Sequence, residues 1–496
     1  MTRPVPLVAL LVMVACKGDP SPDDGSSDTA GETPTSGGET GDTQSAEPTG
    51  CEPPEDLPAD PIVMTGSVQY TVGDAFFMEL VDLQLVDTTV YAVGPGGLMA
   101  FDVSDPAKPF LANHFMTEEH YKFHRVEPLD DGLVVATQRD EELVIVDMTT
   151  EPPALLFEQR INGVEGIARA GDYILLTIRD HGVQAVDVST PTTPRPEPTV
   201  PGLSAPWELS AVVDGWTYAA DAALGLVPID ATDPQALVVH EPIPMQGILH
   251  VAADEHALYA STGSGGVVIL DRSDPAVPTT LATVSVAGSA VMAAVDGDIL
   301  YVADHEGITT LDVTDRSAPV PIGIEVSEEF ALAVDAGDGI AWVGDWTILA
   351  GYAVDPTIQA PDLDLASDSL GLPVEGGTTT ATLHNRGGAP LSITGVSTTD
   401  LDKVTATVDA EVIEPGGTAT LQVTSTGGDT LDGIVCLASN DPDRPVLELP
   451  TTAGVEEPPI GELAPDFELT ELGTGDLHRL SDHLGQPVLL VLFAYW

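Results

Sequence analysis

The sequence has very few basic residues. Lys and Arg together number 16 against 79 Asp and Glu, which gives a formal net charge of −63 over 496 residues. A surface this acidic repels phosphate backbones and anionic lipid headgroups, so nucleic acid is excluded as a partner and the folded body has no basic face for a membrane. The same charge is compatible with divalent cations or with solubility in a salty environment. A chain of this length is expected to form several domains.

Cysteine is also scarce, with three residues at Cys16, Cys51 and Cys436. They form no CxxC pair and no Cys/His group with zinc spacing, so we assign no metal ligands and no cofactor. Cys51 lies in a low-complexity segment and Cys436 in a distant predicted strand. Their pairing would need an oxidising compartment, and we do not expect it. Cys436 is instead interpreted as a small core residue.

No apolar run at the N-terminus is long enough to span a bilayer, which takes about 20 residues. Arg3 is followed by an apolar stretch over residues 5–15. This stretch ends in the sequence Met13-Val14-Ala15-Cys16. This arrangement is typical of a secretion signal. The last four residues resemble the bacterial lipobox, which implies that residues 1–16 are a lipoprotein signal peptide and that Cys16 carries the lipid. Lys17 in place of an Asp favours, by analogy, the outer membrane or cell surface of a Gram-negative bacterium.

Residues 17–60 contain Gly, Ser, Thr, Pro, Asp and Glu with almost no large apolar side chain. Such a segment cannot bury enough surface to offset its ordering entropy. Repulsion between its acidic residues extends it further. We therefore predict a disordered tether between a lipid anchor and the folded body.

A short motif then recurs: Gly, several apolar residues, Asp, and a turn rich in Ser, Thr, Asp and Pro. Its first copy is GLMAFDVSDP, and its aspartates follow one another at intervals of 45, 40, 43, 41, 41 and 43 residues. A second β-rich run and a turn precede each copy, which indicates a hairpin. The motif aspartates are predicted to close Asx-type turns and are Asp102, Asp147, Asp187, Asp230, Asp271, Asp312 and Asp355.

The spacing matches four-stranded propeller blades, whose repeats run to about 40–45 residues. The copies resemble the LVIVD repeat family of bacterial surface proteins, whose name is spelled by residues 143–147. That resemblance implies a seven-bladed β-propeller over residues 61–358. The run at residues 62–72 precedes the first copy and is predicted to close the ring as the outer strand of the last blade, which removes exposed edges. A protein or small ligand is expected at the loop-lined ends of the axis.

His114, His120 and His124 lie close together in the sequence NHFMTEEHYKFHR. His120 and His124 would share a face only on a helix, whereas this segment is predicted to be strand and loop. A metal site is therefore not favoured here.

After about residue 361 the repeat ends, and short alternating strands with Gly-rich turns continue to residue 455. This pattern predicts a β-sandwich. Residues 385–391, 415–417 and 439–442 resemble the ASH family of immunoglobulin-like domains, which implies a spacer or protein-binding module without a catalytic site.

Residues 456–496 comprise a linker and a segment with APDFEL, LSD, GQPV and a continuous apolar run at 488–494. Such a run predicts a buried strand. The segment resembles the start of the redoxin family, which comprises thioredoxin-fold thiol–disulfide oxidoreductases and peroxiredoxin-type antioxidants. Trp496 matches the residue that precedes the family's reactive cysteine. We therefore expect an incomplete α/β thioredoxin-like domain whose catalytic cysteine would follow Trp496 and is absent here.

Together these features predict a mainly all-β chain: a propeller, a β-sandwich and the start of a thioredoxin-like domain. The favoured function is an exported lipoprotein with a binding stalk that carries a redoxin. The alternative is a non-catalytic adhesion or scaffold lipoprotein. A propeller acting as a hydrolase or lyase would need His, Asp or Arg clustered at one end of its axis.

Overall fold

The computed structural model describes residues 51–54, 56–70, 79–117, 122–138, 141–365, 369–373, 375–399, 402–427 and 432–453. It also describes the backbone of four short strands. Val8–Leu11 pairs in parallel with Val488–Val491, and Glu468–Thr470 pairs antiparallel with Leu477–Arg479. The predicted signal peptide around Cys16, most of the predicted tether and most of the redoxin-like segment lie outside the described residues. The described part is β-structure and loops, with two 3-10 turns at Asp130–Gly132 and Pro234–Ala236.

Between residues 62 and 354 the described chain forms seven four-stranded antiparallel sheets, numbered here in chain order. In sheets 1 to 6 the strands pair in the order in which they follow along the chain. Sheet 1 consists of Asp82–Val86, Thr89–Gly94, Gly97–Asp102 and Phe110–Phe115. Sheet 2 consists of Phe123–Pro128, Leu133–Gln138, Glu142–Asp147 and Ala154–Arg160. Sheet 3 consists of Val164–Ala170, Tyr173–Ile178, Gly182–Asp187 and Arg195–Pro196.

The next three sheets repeat this arrangement, because the motif supplies the same two central strands in each repeat. Sheet 4 consists of Pro206–Leu209, Trp216–Asp221, Gly225–Asp230 and Val238–Val239. Sheet 5 consists of His250–Ala253, Ala257–Ser261, Val267–Asp271 and Thr279–Val284. Sheet 6 consists of Met292–Asp296, Ile299–Ala303, His305–Asp312 and Val320–Ala331.

Sheet 7 joins the two ends of the repeat region. It contains Ala333–Gly337, Ile340–Gly344 and Ile348–Val354, and its fourth strand is Ile62–Gln69 from before the first repeat. The register runs from Ile62 opposite Val354 to Gln69 opposite Ile348. The predicted pairing of this early segment with the last repeat is confirmed. It removes the open edge that the last hairpin would otherwise present.

The first strands of the seven sheets contact one another in sequence, and the first strand of sheet 7 contacts that of sheet 1. The sheets therefore form a closed ring around an axis. Apolar clusters fill the spaces between neighbouring sheets; for example, one includes Leu143, Ile145, Ile174 and Leu176 of sheets 2 and 3. Central strands such as Leu143–Val146 are buried on both faces for this reason. Each fully buried aliphatic side chain contributes about 1.5–3 kcal/mol.

Two further sheets follow between residues 363 and 453, here called the second module. A four-stranded sheet contains, in spatial order, Leu363–Leu365, Gly377–Asn385, Thr418–Ser425 and Val404–Val408. A five-stranded sheet contains Leu370–Leu372, Val446–Ala453, Asp432–Ser439, Leu391–Thr398 and Val412–Ile413. Both sheets contribute to one buried cluster that includes Leu363, Leu383, Leu421 and Leu437. The two sheets thus share a single core.

Cys51 and Cys436 form a disulfide, with their Cα atoms 6.0 Å apart. The expectation that they would not pair is therefore wrong. Cys436 is fully buried in the five-stranded sheet, as expected for a core residue. Its partner attaches the end of the predicted tether to the second module. The sequence carried no sign of this contact because 385 residues separate the two cysteines, and only the closed ring brings the chain's early segment back beside the second module.

Candidate functional site: the axial cavity

The first strands of all seven sheets surround a cavity of about 270 Å³, here called the axial cavity. Its wall combines apolar side chains with a set of ionisable ones. The ionisable residues that line it are Asp82, Glu127, Arg169, Glu208, His250 and Asp335. They come from sheets 1, 2, 3, 4, 5 and 7 respectively. The ring thus gathers six ionisable side chains from segments that span more than half of the chain.

Two of the carboxylates link neighbouring sheets. Asp82 Oδ2 accepts a hydrogen bond from the Val126 backbone N–H of sheet 2, at 2.9 Å. Asp335 Oδ2 accepts one from the Leu85 N–H of sheet 1, at 2.7 Å. First strands of different sheets do not share a ladder, so these side chains satisfy N–H groups that the strands leave open. The acids at the axis therefore also hold the ring together.

Arginines offset part of this negative charge. The Arg125 guanidinium forms an ion pair with Glu208, and both residues are buried, with 8% and 4% of their surface exposed. Arg169 pairs with Asp130 at 2.8 Å, and that aspartate is exposed outside the cavity. Four carboxylates thus line the cavity, and Arg169 is the one arginine among its described lining residues. Arg125 supplies a second positive charge through its ion pair with Glu208. The wall carries more acids than cations.

Burial shapes the ionisation of these groups. Burial, together with the neighbouring acids Asp82 and Glu208, raises the pKa of Glu127 to about 8. Burial also raises the pKa of Asp335 to about 6 and raises those of Asp82 and Glu208. These side chains touch the cavity yet are surrounded by protein, so bulk water solvates their charged forms poorly. Near neutral pH the wall holds protons that a cation could displace.

His250 is held in its neutral form. Burial, together with the charge of Arg125, lowers its pKa to about 3. Its Nδ1 lies 3.3 Å from the Ala293 backbone N–H of sheet 6, which donates to it. The His250 imidazole therefore links sheets 5 and 6 by a side-chain-to-backbone hydrogen bond and adds no positive charge to the cavity.

The seven motif aspartates lie elsewhere, at the ends of the third strands. Each accepts a hydrogen bond from the backbone N–H two residues later, at 2.8–3.0 Å. This is the geometry of the Asx-type turn that the sequence predicts. The hydroxyl of the Ser or Thr two residues later, together with this backbone N–H, holds the pKa of Asp102, Asp147, Asp187, Asp230 and Asp355 below the usual range. None of the seven lines the axial cavity.

Of the three histidines at residues 114–124, the two that the structure describes lie on different sheets and have different partners. His114 lies on the fourth strand of sheet 1, with its Nε2 2.7 Å from the Gly96 carbonyl oxygen. His124 lies on the first strand of sheet 2, with its Nε2 3.8 Å from Glu165. His120 falls outside the described residues. No histidine belongs to a potential metal-binding group in the described part of the chain.

The residues of the axial cavity were missed by the sequence analysis. The repeat motif is strong in the second and third strands and weak in the first, so the sequence pattern points to the loop-lined ends of the axis and not to the first strands. The sequence feature that could have indicated this site is the charged residue in several of the strands that precede a hairpin, as in FHRVEP, GIARA, PWEL and AVDAG.

Two segments, residues 90–117 and 287–327, match the family model described as the LVIVD repeat. The repeats and the ring of sheets together identify this body as a β-propeller. Among solved structures, the chain is similar to the WD40 repeats of RRP9, with a TM-score of 0.47, 10% identity, and coverage of 60% of this chain and 99% of that chain. The chain is also similar to a virginiamycin B lyase from Staphylococcus aureus, with a TM-score of 0.47 and 11% identity. That match covers 59% of this chain and 100% of the lyase chain.

The WD40 β-propeller domain of Doa1 gives a TM-score of 0.45, 11% identity, and coverage of 58% of this chain and 97% of that chain. Likeness at this level carries no argument about activity. No curated protein sequence is significantly similar to this chain. Within the described residues, no helix has the length and apolar character needed to cross a membrane.

Proposed function

We propose that this chain is an exported, lipid-anchored binding protein whose seven-bladed propeller takes up a small cationic ligand at its axis. The observation that carries the binding role is the axial cavity, where Asp82, Glu127, Glu208 and Asp335 outnumber the basic groups. Its volume of about 270 Å³ lies near the lower end for ligand sites, which favours a small molecule. An amine that replaces the protons held by these carboxylates would be bound by charge-assisted hydrogen bonds.

Proton displacement makes the proposal specific. Because the pKa of Glu127 is raised to about 8, a cation that binds at pH 7 must displace a proton there. Affinity should therefore rise with pH up to about that value. Calorimetric titration in buffers of different ionisation enthalpy should report proton release on binding.

The test is to titrate the full chain with putrescine as the cationic probe and glutarate as the anionic one, in high salt to screen the acidic outer surface. Putrescine should bind and glutarate should not. Glu127→Gln should weaken putrescine binding by a factor of about ten, which is the loss of about 1.4 kcal/mol. Glu241→Gln removes one exposed charge of the same propeller and should leave binding unchanged. Equal binding by wild type and Glu127→Gln would refute a site at the axis.

Lipid anchoring rests on the resemblance of residues 13–16 to a lipobox. We propose that Cys16 is lipidated and that the protein resides in the cell envelope, on the outer membrane or cell surface. The disulfide between Cys51 and Cys436 fits an oxidising compartment. Mass spectrometry of the protein isolated from membranes should show an acylated Cys16, and Cys16→Ser should release the protein into the soluble fraction.

A second candidate function rests on the sequence of residues 464–496, whose motifs follow one another as they do at the start of a redoxin. On this proposal, the propeller and an immunoglobulin-like sandwich carry a thiol–disulfide oxidoreductase or a peroxiredoxin-type domain whose cysteine follows Trp496. The competing proposal is a non-catalytic adhesion or scaffold lipoprotein. Reading the gene beyond codon 496 and assaying its product for peroxide and disulfide reduction separates the two. A product with no cysteine shortly after Trp496 would favour the scaffold.

A further inference from the structure

Three carboxylates meet where the propeller adjoins the second module. Asp362 lies directly before the first strand of the module, and Asp441 and Asp443 lie in the turn after Asp432–Ser439. One carboxylate oxygen from each lies within 4.8 Å of the others. These three residues are called here the junction carboxylates. They come together only in the folded chain, because about eighty residues of the module separate Asp362 from the other two.

Backbone donors hold two of them in place. Asp362 Oδ2 accepts a hydrogen bond from the Ile324 N–H on the last strand of sheet 6. Asp441 Oδ2 accepts one from the Leu363 N–H at 2.7 Å, and its Oδ1 accepts from the Arg444 N–H at 3.1 Å. The cluster is therefore built on rigid elements of both bodies. Sheet 6 supplies a donor to one carboxylate, and the module supplies donors to the other.

The other oxygen of Asp362 lacks any such partner. Its Oδ1 is buried and accepts no hydrogen bond from the described residues, although only 5% of the surface of Asp362 is exposed. Asp441 is fully buried. A buried charged oxygen without a partner costs several kcal/mol unless a cation or a proton compensates it. The orphaned oxygen of Asp362 is therefore available to a cation or to a proton.

The surrounding charge favours a cation. Asp60 and Glu325 lie close enough to Asp443 for its charge to raise the pKa of each. Arg444 opposes these acids, but its guanidinium donates to the Leu363 carbonyl oxygen at 2.8 Å. None of the described residues forms an ion pair of salt-bridge geometry with a junction carboxylate. The protein's own cations therefore leave the negative charge largely unbalanced.

We propose that the junction carboxylates bind a calcium ion that couples the propeller to the second module. The ligand atoms are all oxygens, with neither a histidine nor a cysteine in the group, which suits a hard divalent cation rather than zinc or copper. Asp443 is exposed, so water can complete the coordination shell on that side. Since the Asp362 carboxylate is also bonded to sheet 6, an ion held there would restrain the propeller and the module relative to each other.

The experiment compares calcium binding by three forms of the full chain after treatment with a chelator: wild type, Asp443→Asn and Glu414→Gln. Asp443→Asn removes one carboxylate ligand at an exposed position while keeping the size of the side chain, and Glu414→Gln removes one exposed charge of the same module as a control. Calorimetric titration with CaCl2 should give one more tight site in wild type and Glu414→Gln than in Asp443→Asn. Loss of a ligand should weaken this site by a factor of about ten or more.

Thermal unfolding supplies the second readout. Calcium should raise the Tm of wild type and Glu414→Gln clearly more than that of Asp443→Asn, since a ligand that binds only the native state stabilises it. Equal stoichiometry and equal calcium-dependent shifts in the three forms would overturn the proposal. So would a wild type that binds no calcium at millimolar concentration, in which case the junction carboxylates hold protons instead.

Discussion

Aspartate performs two distinct tasks at the residue scale in the propeller. The motif aspartates are exposed and each closes a turn by binding an N–H two residues later. Asp221, at the end of the second strand of sheet 4, is fully buried and accepts from four backbone N–H groups. The first kind follows from the repeat motif. The second kind depends on which loops the fold brings together around the carboxylate.

Replacing Asp221 tests this distinction. Asp221→Ala leaves the N–H groups of Ser204, Ala205, Ala223 and Leu224 without an acceptor. Each buried unsatisfied donor costs about 1–3 kcal/mol, so we expect a loss of roughly 4 kcal/mol or more in the free energy of unfolding. Asp147→Ala, at an exposed motif turn, should lower the stability much less. Urea unfolding followed by circular dichroism measures both, and equal losses would contradict the argument.

At the scale of elements, ring closure depends on one strand borrowed from the other end of the repeat region. Ile62–Gln69 pairs with the last motif strand, and the Cys51–Cys436 disulfide attaches the preceding segment to the second module. Asp355 N–H also donates to the Pro61 carbonyl oxygen at 2.9 Å, directly before the strand. The early segment is thus held by the disulfide before residue 61 and by backbone hydrogen bonds from residue 61 onwards.

Disrupting the closing strand should open the ring. Val68→Pro removes a backbone donor from a paired position and places a proline ring in the ladder opposite Leu349. A proline in a sheet removes a ladder hydrogen bond, and loss of this strand would expose the edge of its neighbour to other chains. We expect a lower Tm and aggregation visible by size-exclusion chromatography with light scattering. Met64→Ala, at an exposed side chain of the same strand, is the control and should remain a stable, unaggregated protein.

At the scale of the whole molecule, the dominant feature is the number of acidic side chains inside as well as outside. The 79 Asp and Glu that produce the formal net charge of −63 include those that line the axial cavity and those at the junction. Burial raises the pKa of the inner carboxylates, whereas turn hydrogen bonds lower the pKa of the motif aspartates. The inner carboxylates therefore stabilise the fold at low pH, whereas the motif aspartates stabilise it at higher pH.

We expect stability to be greatest near pH 5. Glu127 has a folded pKa of about 8, above its ordinary value of 4.5, so the folded state keeps a proton that the unfolded chain releases. Its contribution is present below pH 4.5 and is lost as the pH rises towards 8. The motif aspartates have lowered folded pKa values, and their contribution is lost as the pH falls below about 4.

Thermal melts from pH 3 to pH 9 at high salt measure this dependence while screening the surface charge. Glu127→Gln should flatten the decline between pH 5 and pH 8, and Glu241→Gln should not. A wild-type Tm that rises steadily from pH 5 to pH 8 would show that the inner carboxylates ionise normally in the folded state.

The sequence by itself determined the repeat, the hairpins and the turn-closing aspartates, because these depend on neighbouring residues and on apolar periodicity. It also indicated the closing strand, since Ile62–Gln69 is a β-rich run that no repeat uses. Tertiary structure alone decided the disulfide, the axial cavity and the junction carboxylates. Each of these joins residues from distant segments, and their meeting depends on how sheets pack around an axis and not on any local pattern. A local pattern predicts which segments form strands, whereas the packing of the sheets determines the distances between side chains of different sheets.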